Sequence, residues 1–272
     1  GIVPGLILAP GWSQIPEVGL ALAAKAAKIN GVYSAMALLD LDTAKAKKYT
    51  DTKSVKEESG YTSPFCYPLW PCDRVGEYIL AKSAVAGAMI QYMASDNEDV
   101  PNQSPSNHLL GVGGQCLEDG TEVYLDQDQA NTVNGYGVTT AINQNGYRLW
   151  GNYTGAYPAS SDAKDIWFAV RRMFSWQGNN FIQTYFDEVD DPMNNVLVQS
   201  VVDSENIRCS AYAPKYWAGA SIEYKSDDNP KTAILAGTMK FRQHIAPYTP
   251  AQEIVDIIDY DTDTLAAAVG GN

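Results

Sequence analysis

Residues 4–10 read PGLILAP, and residues 33–40 read YSAMALLD. Each is a short apolar run without polar alternation, the pattern of a strand buried on both faces. Between them Pro16 stands where a helix opens, the stretch from Glu17 to Ile29 is rich in Ala and Leu, and Asn30-Gly31 stops it. Strand, helix, strand is the unit of a parallel sheet, because parallel neighbours need a crossover between them.

The pattern continues outward. Thr43 is placed to cap a polar helix running to about Glu58. Ser63–Trp70 (SPFCYPLW) reads as a third strand, broken by Pro68. Val75–Ala94 reads as a helix, and its small residues Ala81, Ala84, Ala86, Gly87 and Ala88 suit close packing on a sheet. The expected fold class is α/β, with a three-layer, largely parallel sheet. A loop-rich stretch follows, with glycines at Gly111, Gly113 and Gly114, a short helix at Asp128–Val133 and a strand at Val138–Ile142. After Gly146 the texture changes. Tyr147–Trp150 is strand-like. Ser161 or Asp162 caps a helix to about Thr184, with Ile166, Val170, Met173 and Trp176 or Gln177 on one face. A second helix covers Asn194–Cys209. From Thr238 to Ile245 the chain alternates: Met239, Phe241 and Ile245 point one way, Thr238, Lys240, Arg242 and His244 the other. Glu253–Tyr260 (EIVDIIDY) reads as the last strand. Two units are expected, an α/β core over 1–146 and an α+β unit over 147–272.

Composition narrows the function. The chain has 272 residues, 45% of them hydrophobic and 19% charged, a globular balance. No apolar run approaches the roughly 20 residues of a membrane helix, so membrane insertion is not expected. The formal charge is -13, spread over both halves, which argues against nucleic acid as a partner. Cys66, Cys72, Cys116 and Cys209 form neither a disulfide framework nor a CxxC zinc site, so a reduced, cytoplasmic-type interior is expected. The chain opens at Gly1 without a Met, already inside an apolar run, which predicts a segment upstream of it.

Catalytic patterns are scarce. Ala9–Ser13 (APGWS) is not a dinucleotide turn, and no GxxxxGK[ST] loop occurs, so no cofactor is expected. Asp40 and Asp42 have the spacing of the DxDx[TV] start of haloacid-dehalogenase-like phosphatases, with one Asp as nucleophile and the other as general acid. Thr43 comes one place early for that motif. A strand end followed by a helix cap explains the same residues. His108 lies in a loop and His244 on the polar face of an alternating strand, and there is no GxSxG elbow. Tyr147, Trp150, Tyr153 and Tyr157 gather at the change of texture, either as a sugar- or partner-binding cluster or as packing at a junction.

Several segments resemble, in the same order, the signatures of contractile phage tail sheath proteins of the temperate-phage type. Gly135–Thr154 (GYGVTTAINQNGYRLWGNYT) resembles the stretch "gVvTii…GyrlWGnrT", with Tyr153 in place of an Arg. Residues 4–11 (PGLILAPG), Ser83–Gly87 (SAVAG), Ser104–Asn107 (SPSN) with Gly111-Val112, and Trp167–Arg172 (WFAVRR) fit other blocks. Asn229-Pro230, Ala236-Gly237 and Pro247–Ile254 complete the pattern, and a Gly-Trp before SPSN is absent. The resemblance implies a structural subunit and no enzyme, with a subtilisin-like core named for topology alone. It implies six-membered rings of sheath subunits around an inner tail tube, bounded by baseplate and tail terminator, which contract to drive the tube through a cell envelope. It places the protein in a virion tail or phage-tail-like particle assembled in the bacterial cytoplasm. It also implies lateral strand exchange between subunits, for which the candidates are Glu253, Ile254, Val255, Asp256, Ile257, Ile258, Asp259 and Tyr260. Lys164, Arg171 and Arg172 are the candidates to face the tube.

Overall fold

The computed structural model describes residues 3–270. Strand β1 (Leu6–Leu8), helix α1 (Pro16–Ala27), strand β2 (Met36–Asp40), helix α2 (Thr52–Ser59) and strand β3 (Cys66–Leu69) come first. β1 and β3 both pair with β2 in parallel, Leu6 opposite Met36 and Ala37 opposite Cys66. Every β2 residue is buried, which explains its unbroken apolar run. Ala37 and Leu39 join a cluster with Ala23 and Ala26 of α1 and Val55 of α2. Met36 and Leu38 join a second one. Pro68 sits inside β3 without breaking it. It needs no N–H there, and its carbonyl accepts from Thr139 N at 2.8 Å.

Two expectations fail here. Thr43 caps no helix; its Oγ1 accepts from Glu118 N at 3.1 Å, and α2 starts only at Thr52, ending at the left-handed Gly60. Residues 75–81 are not helical. Strands β4 (Cys72–Val75) and β5 (Tyr78–Leu80) form a hairpin around Gly76 (φ 58°), and helix α3 (Lys82–Asp96) starts after it. α3 does lie close on the sheet. Its Ala86, Met89 and Ile90 pack with Met36 and Leu38, and a methyl added at Gly87 would touch Leu8 and Leu38 at about 3.5 Å.

Strand β6 (Gly114–Cys116) pairs antiparallel with β4, a strand the Gly cluster gave no sign of. Helix α4 (Gln127–Gly135) opens on an Asp126–Gln129 capping box. Strands β7 (Thr140–Asn143) and β8 (Tyr147–Trp150) form a hairpin whose turn holds Asn145 (φ 54°) and Gly146 (φ 105°). Gly146 therefore marks a turn, and Ala141 and Leu149 on either side of it share one core cluster. Among the described strands, only β1, β2 and β3 are parallel.

Helix α5 (Ala163–Ile166), capped by Asp162, is separated from α6 (Phe168–Thr184) by Trp167, whose extended backbone pairs with Tyr153. The single helix expected from Ser161 to Thr184 is thus two. Phe168 stacks on Tyr67 at 4.1 Å, while Met173 packs with Cys209, Tyr216 and Trp217, so α6 runs from one core cluster into another. Helix α7 (Asn195–Tyr212) is capped by Asn194. Strand β9 (Trp217–Glu223), helix α8 (Lys231–Leu235), strand β10 (Arg242–Pro247) and the exposed helix α9 (Thr262–Ala268) follow. Glu205 of α7 is fully buried. It accepts from Gln177 of α6 at 2.6 Å, from Tyr185 at 3.2 Å and from Arg208 at 3.1 Å.

Burial also sets a pH limit. It pushes the thiols of Cys66 and Cys72 up to about 12 from their ordinary 9.0. Above pH 9 the unfolded chain then releases protons that the fold still holds. The contribution is whole below that pH and is lost as pH rises towards 12. Lys56, buried and lowered to about 8, acts in the opposite sense between pH 8 and 10.5 and offsets part of the loss. The melting temperature is expected to fall between pH 9 and 11, and less steeply in Cys66→Ala. Equal slopes in the two proteins would contradict this account.

Candidate assembly interface

β9 and β10 make an antiparallel ribbon of two strands, with Arg242 opposite Glu223 and a register shift at Pro247. A lone ribbon is marginal without support. Here Ile245 and Ala220 pack on Trp217, Cys209 and Met173, so α6 and α7 back one face. The strand read from Thr238 to Ile245 begins only at Arg242, residues 238–241 being irregular; within β10 the alternation holds, with Gln243, Ile245 and Pro247 half-buried and Arg242, His244 and Ala246 exposed. His244 Nε2 lies 3.1 Å from Glu223 Oε1 across the ribbon.

A two-stranded ribbon has two open edges. On the β9 side Asn206 closes one position, donating to Ile222 O and accepting from Ile222 N at 3.0 Å each. Among the described residues no hydrogen bond from outside the ribbon reaches the β10 backbone. Such an edge is a template for another strand.

The chain then leaves its own body. Tyr248 OH donates to Pro214 O at 3.0 Å, and Tyr153 OH donates to Gln252 Oε1 at 2.7 Å. Past these two ties, the expected strand Glu253–Tyr260 is not paired. Residues 253–260 have no regular structure and are all exposed, with Ile254 at 88% and Ile258 at 87%. Val255, Ile257 and Tyr260 are bare as well. A contiguous set of strand-forming apolar side chains in water is unusual on a monomer. The tail departs beside a groove of about 1160 Å³ lined by Asn107, His108, Asn131, Trp150, Tyr153 and Pro250, among others.

The aromatic cluster divides between core and groove. Tyr147 is buried in the core. Tyr153 stacks between Tyr157 at 3.7 Å and Trp167 at 4.8 Å, and Trp150 donates to Asn131 at 2.9 Å. The rings hold one another and anchor the root of the tail.

The acid pair does not converge. Asp40 is buried and accepts from Ser13 Oγ at 2.9 Å, Ser83 N at 2.8 Å and Ser83 Oγ at 2.5 Å, so its carboxylate is occupied by its own fold. Burial pushes its carboxyl up. Asp42 accepts from Ala44 N at 2.9 Å and closes a turn. His108 is exposed on its loop; partial desolvation, then the charge of Arg148, lowers its imidazole. Among the described residues no three His, Cys, Asp or Glu gather as metal ligands, and no helix is long and apolar enough to cross a membrane.

The three basic candidates differ in exposure. The Lys164 side chain is 42% exposed and 4.0 Å from Asp162. Arg171 pairs with Asp165 at 3.2 Å and lies over the Phe65 ring at 4.6 Å. Arg172 is buried, so a contact made through it requires a partner group that enters the body. Sequence reading missed β9, whose WAGASIE run alternates too weakly. It also missed the burial of Arg172, although that residue lies one helical turn after the core residue Phe168.

No family model matches the chain. It is 27% identical over 197 residues to the "Major tail sheath protein" of Serratia phage KSP20, covering 69% of this chain and 48% of that protein. It is 23% identical over 265 residues to the "Tail sheath protein" of Escherichia phage P2, covering 93% and 62% respectively. The chain thus spans about half to three fifths of the length of these relatives. In fold it matches a cryo-EM structure of an extracellular contractile injection system, the PVC sheath complex in its contracted state. That match has a TM-score of 0.77 at 16% identity, over 97% of this chain and 73% of the other. In sequence the chain is similar to tail sheath proteins of phages, and in fold to a contractile sheath.

Proposed function

We propose that this chain is a structural subunit of a contractile tail sheath, polymerising around an inner tube and contracting to drive it through a cell envelope. The observation that carries the proposal is the unpaired tail Glu253–Tyr260 on a body whose β10 edge is open. In the lattice the tail of one copy adds a strand to the ribbon of the next. Main-chain hydrogen bonds of that kind join subunits while their bodies change angle. The phosphatase alternative has no comparable support, since Asp40 and Asp42 do not share a site. Rings of six, an inner tube, a baseplate and a tail terminator belong to the same reading, as does assembly in a bacterial cytoplasm for a virion tail or phage-tail-like particle. Of the basic candidates, Lys164 is the most exposed and so the best placed to meet a tube surface directly.

The three-layer, subtilisin-like core belongs here too. β2 carries alternate residues into clusters with α1 and with α3, as a sheet between helical layers would. The division into 1–146 and 147–272 runs through the β7–β8 turn, and we place the boundary within α6 instead, near Met173. Negative-stain electron microscopy of the chain, alone and mixed with an inner tube protein, tests the function. Hollow tubes with sixfold cross-sections are expected. Discrete particles in both mixtures, across salt and concentration, would overturn it.

A further inference from the structure

Phe168, Arg172 and Ser175 follow one another at helical spacing along one stripe of α6. Arg172 is 9% exposed and Ser175 6%. Among the described residues the Arg172 guanidinium has neither an ion-pair partner nor a hydrogen bond, and it lies 5.6 Å from the Phe168 ring. Burial alone pulls it down to about 10, with no neighbouring carboxylate raising it. Ser175 Oγ is buried and has no hydrogen-bond partner. Both residues line a pocket of about 440 Å³ between α3, α6 and the start of the described chain, with Gln91, Asn179 and Asn180 on its walls. Asp99 stands at the rim, exposed, and does not pair with the guanidinium.

A guanidinium on a side chain only 9% exposed, opening into a pocket and without a counter-charge, is a costly arrangement for a fold to keep. Its planar fork of donors fits a carboxylate, and a free hydroxyl one turn away supplies a further donor. We propose that this pocket is an acceptor site for a carboxylate, supplied in the assembled state by an Asp or Glu side chain of a second copy of this chain. Charge favours that source. With 32 acidic against 19 basic residues, an adjoining copy presents chiefly carboxylates, and the pocket is a point of opposite sign. The second copy as source rests on the sheath reading; the site itself does not.

Acetate is the probe for the site. Titrating it into the full chain at constant ionic strength is expected to shift the Arg172 Nε–H resonance saturably, while chloride does not. No saturable shift would overturn the site, however the chain assembles. Arg172→Met tests the rest. With no counter-charge to lose, the unassembled variant is expected to melt at or above the wild-type temperature and to lose the stabilisation by acetate. Its critical concentration for assembly is expected to rise about tenfold or more, the worth of one charge-assisted contact. A large drop in melting temperature would mean that the guanidinium is satisfied within its own fold, which overturns the proposal. Acetate binding with unchanged assembly of Arg172→Met would remove the second copy as the source. Acetate binding by a wild-type chain that never self-associates would remove both that source and the sheath reading, and leave the site.

Discussion

Deleting residues 253–270 is expected to abolish self-association while leaving the melting temperature of the body unchanged. The deletion keeps both ties at the root of the tail, Tyr248 to Pro214 and Tyr153 to Gln252. What it removes is exposed throughout, so the body has almost no packing to lose. The interface loses a great deal. Ile254, Val255, Ile257 and Ile258 would each contribute about 1.5–3 kcal/mol if fully buried against a neighbour. Main-chain hydrogen bonds to the β10 edge add about 1 kcal/mol apiece. Even after the entropy of ordering the tail, several kcal/mol remain, and each 1.4 kcal/mol or so is tenfold in affinity. Ile254→Asp with Ile258→Asp should act like the deletion, because a charge on an exposed tail costs nothing until the tail is buried. Sedimentation velocity of the three proteins decides the matter. If the variants and the wild type sediment as the same assemblies, strand donation by this segment is wrong.

Lys82→Ala is expected to be the most damaging single change to the body. Lys82, at the start of α3, bonds Asp73 of β4, and both side chains are fully buried. The pair ties the hairpin to the helix that covers the parallel sheet. Lys82 bonds Asp73 Oδ1 and Oδ2 has no partner, so no reserve of hydrogen bonds would hold the carboxylate if the ammonium were removed. Breaking a buried pair from one side costs about 3–5 kcal/mol. In a chain of this size each kcal/mol lowers the melting temperature by about 2–4 °C. Replacing both partners, Lys82→Met with Asp73→Leu, should restore most of the loss, because neither charge is then stranded. Calorimetry of the single and double variants checks both statements, and a double variant as unstable as the single one would contradict them.

Much of this protein could be read along the chain. PGLILAP and YSAMALLD became β1 and β2, with α1 opened by Pro16 between them. The helix read over Asn194–Cys209 became α7, and the later part of the alternation from Thr238 to Ile245 became β10. These features depend on a residue and its near neighbours, through period, propensity and capping chemistry. Collinear motifs carried the family resemblance in the same local way.

Other features had no local signature. Residues 75–80 hold Val, Tyr, Ile and Leu at spacings that suit a helix or a strand, and only pairing between β4 and both β5 and β6 chose the strand. Gly146 reads equally as a linker or as a left-handed turn, since both favour glycine, and only the pairing of β7 with β8 shows the turn. EIVDIIDY has the composition of a buried strand, but its own body offers it no partner. The two adjacent arginines of α6 are alike in sequence and unlike in the fold. A step of about 100° around the helix sets Arg171 over Phe65 beside Asp165 and turns Arg172 into the interior. The sequence by itself determined the strands, helices and caps, because those are settled within a few residues. Which edges stay open, which charge is left unpaired and which apolar segment stays in water were decided only by tertiary structure, because each depends on what distant parts of the chain bring alongside.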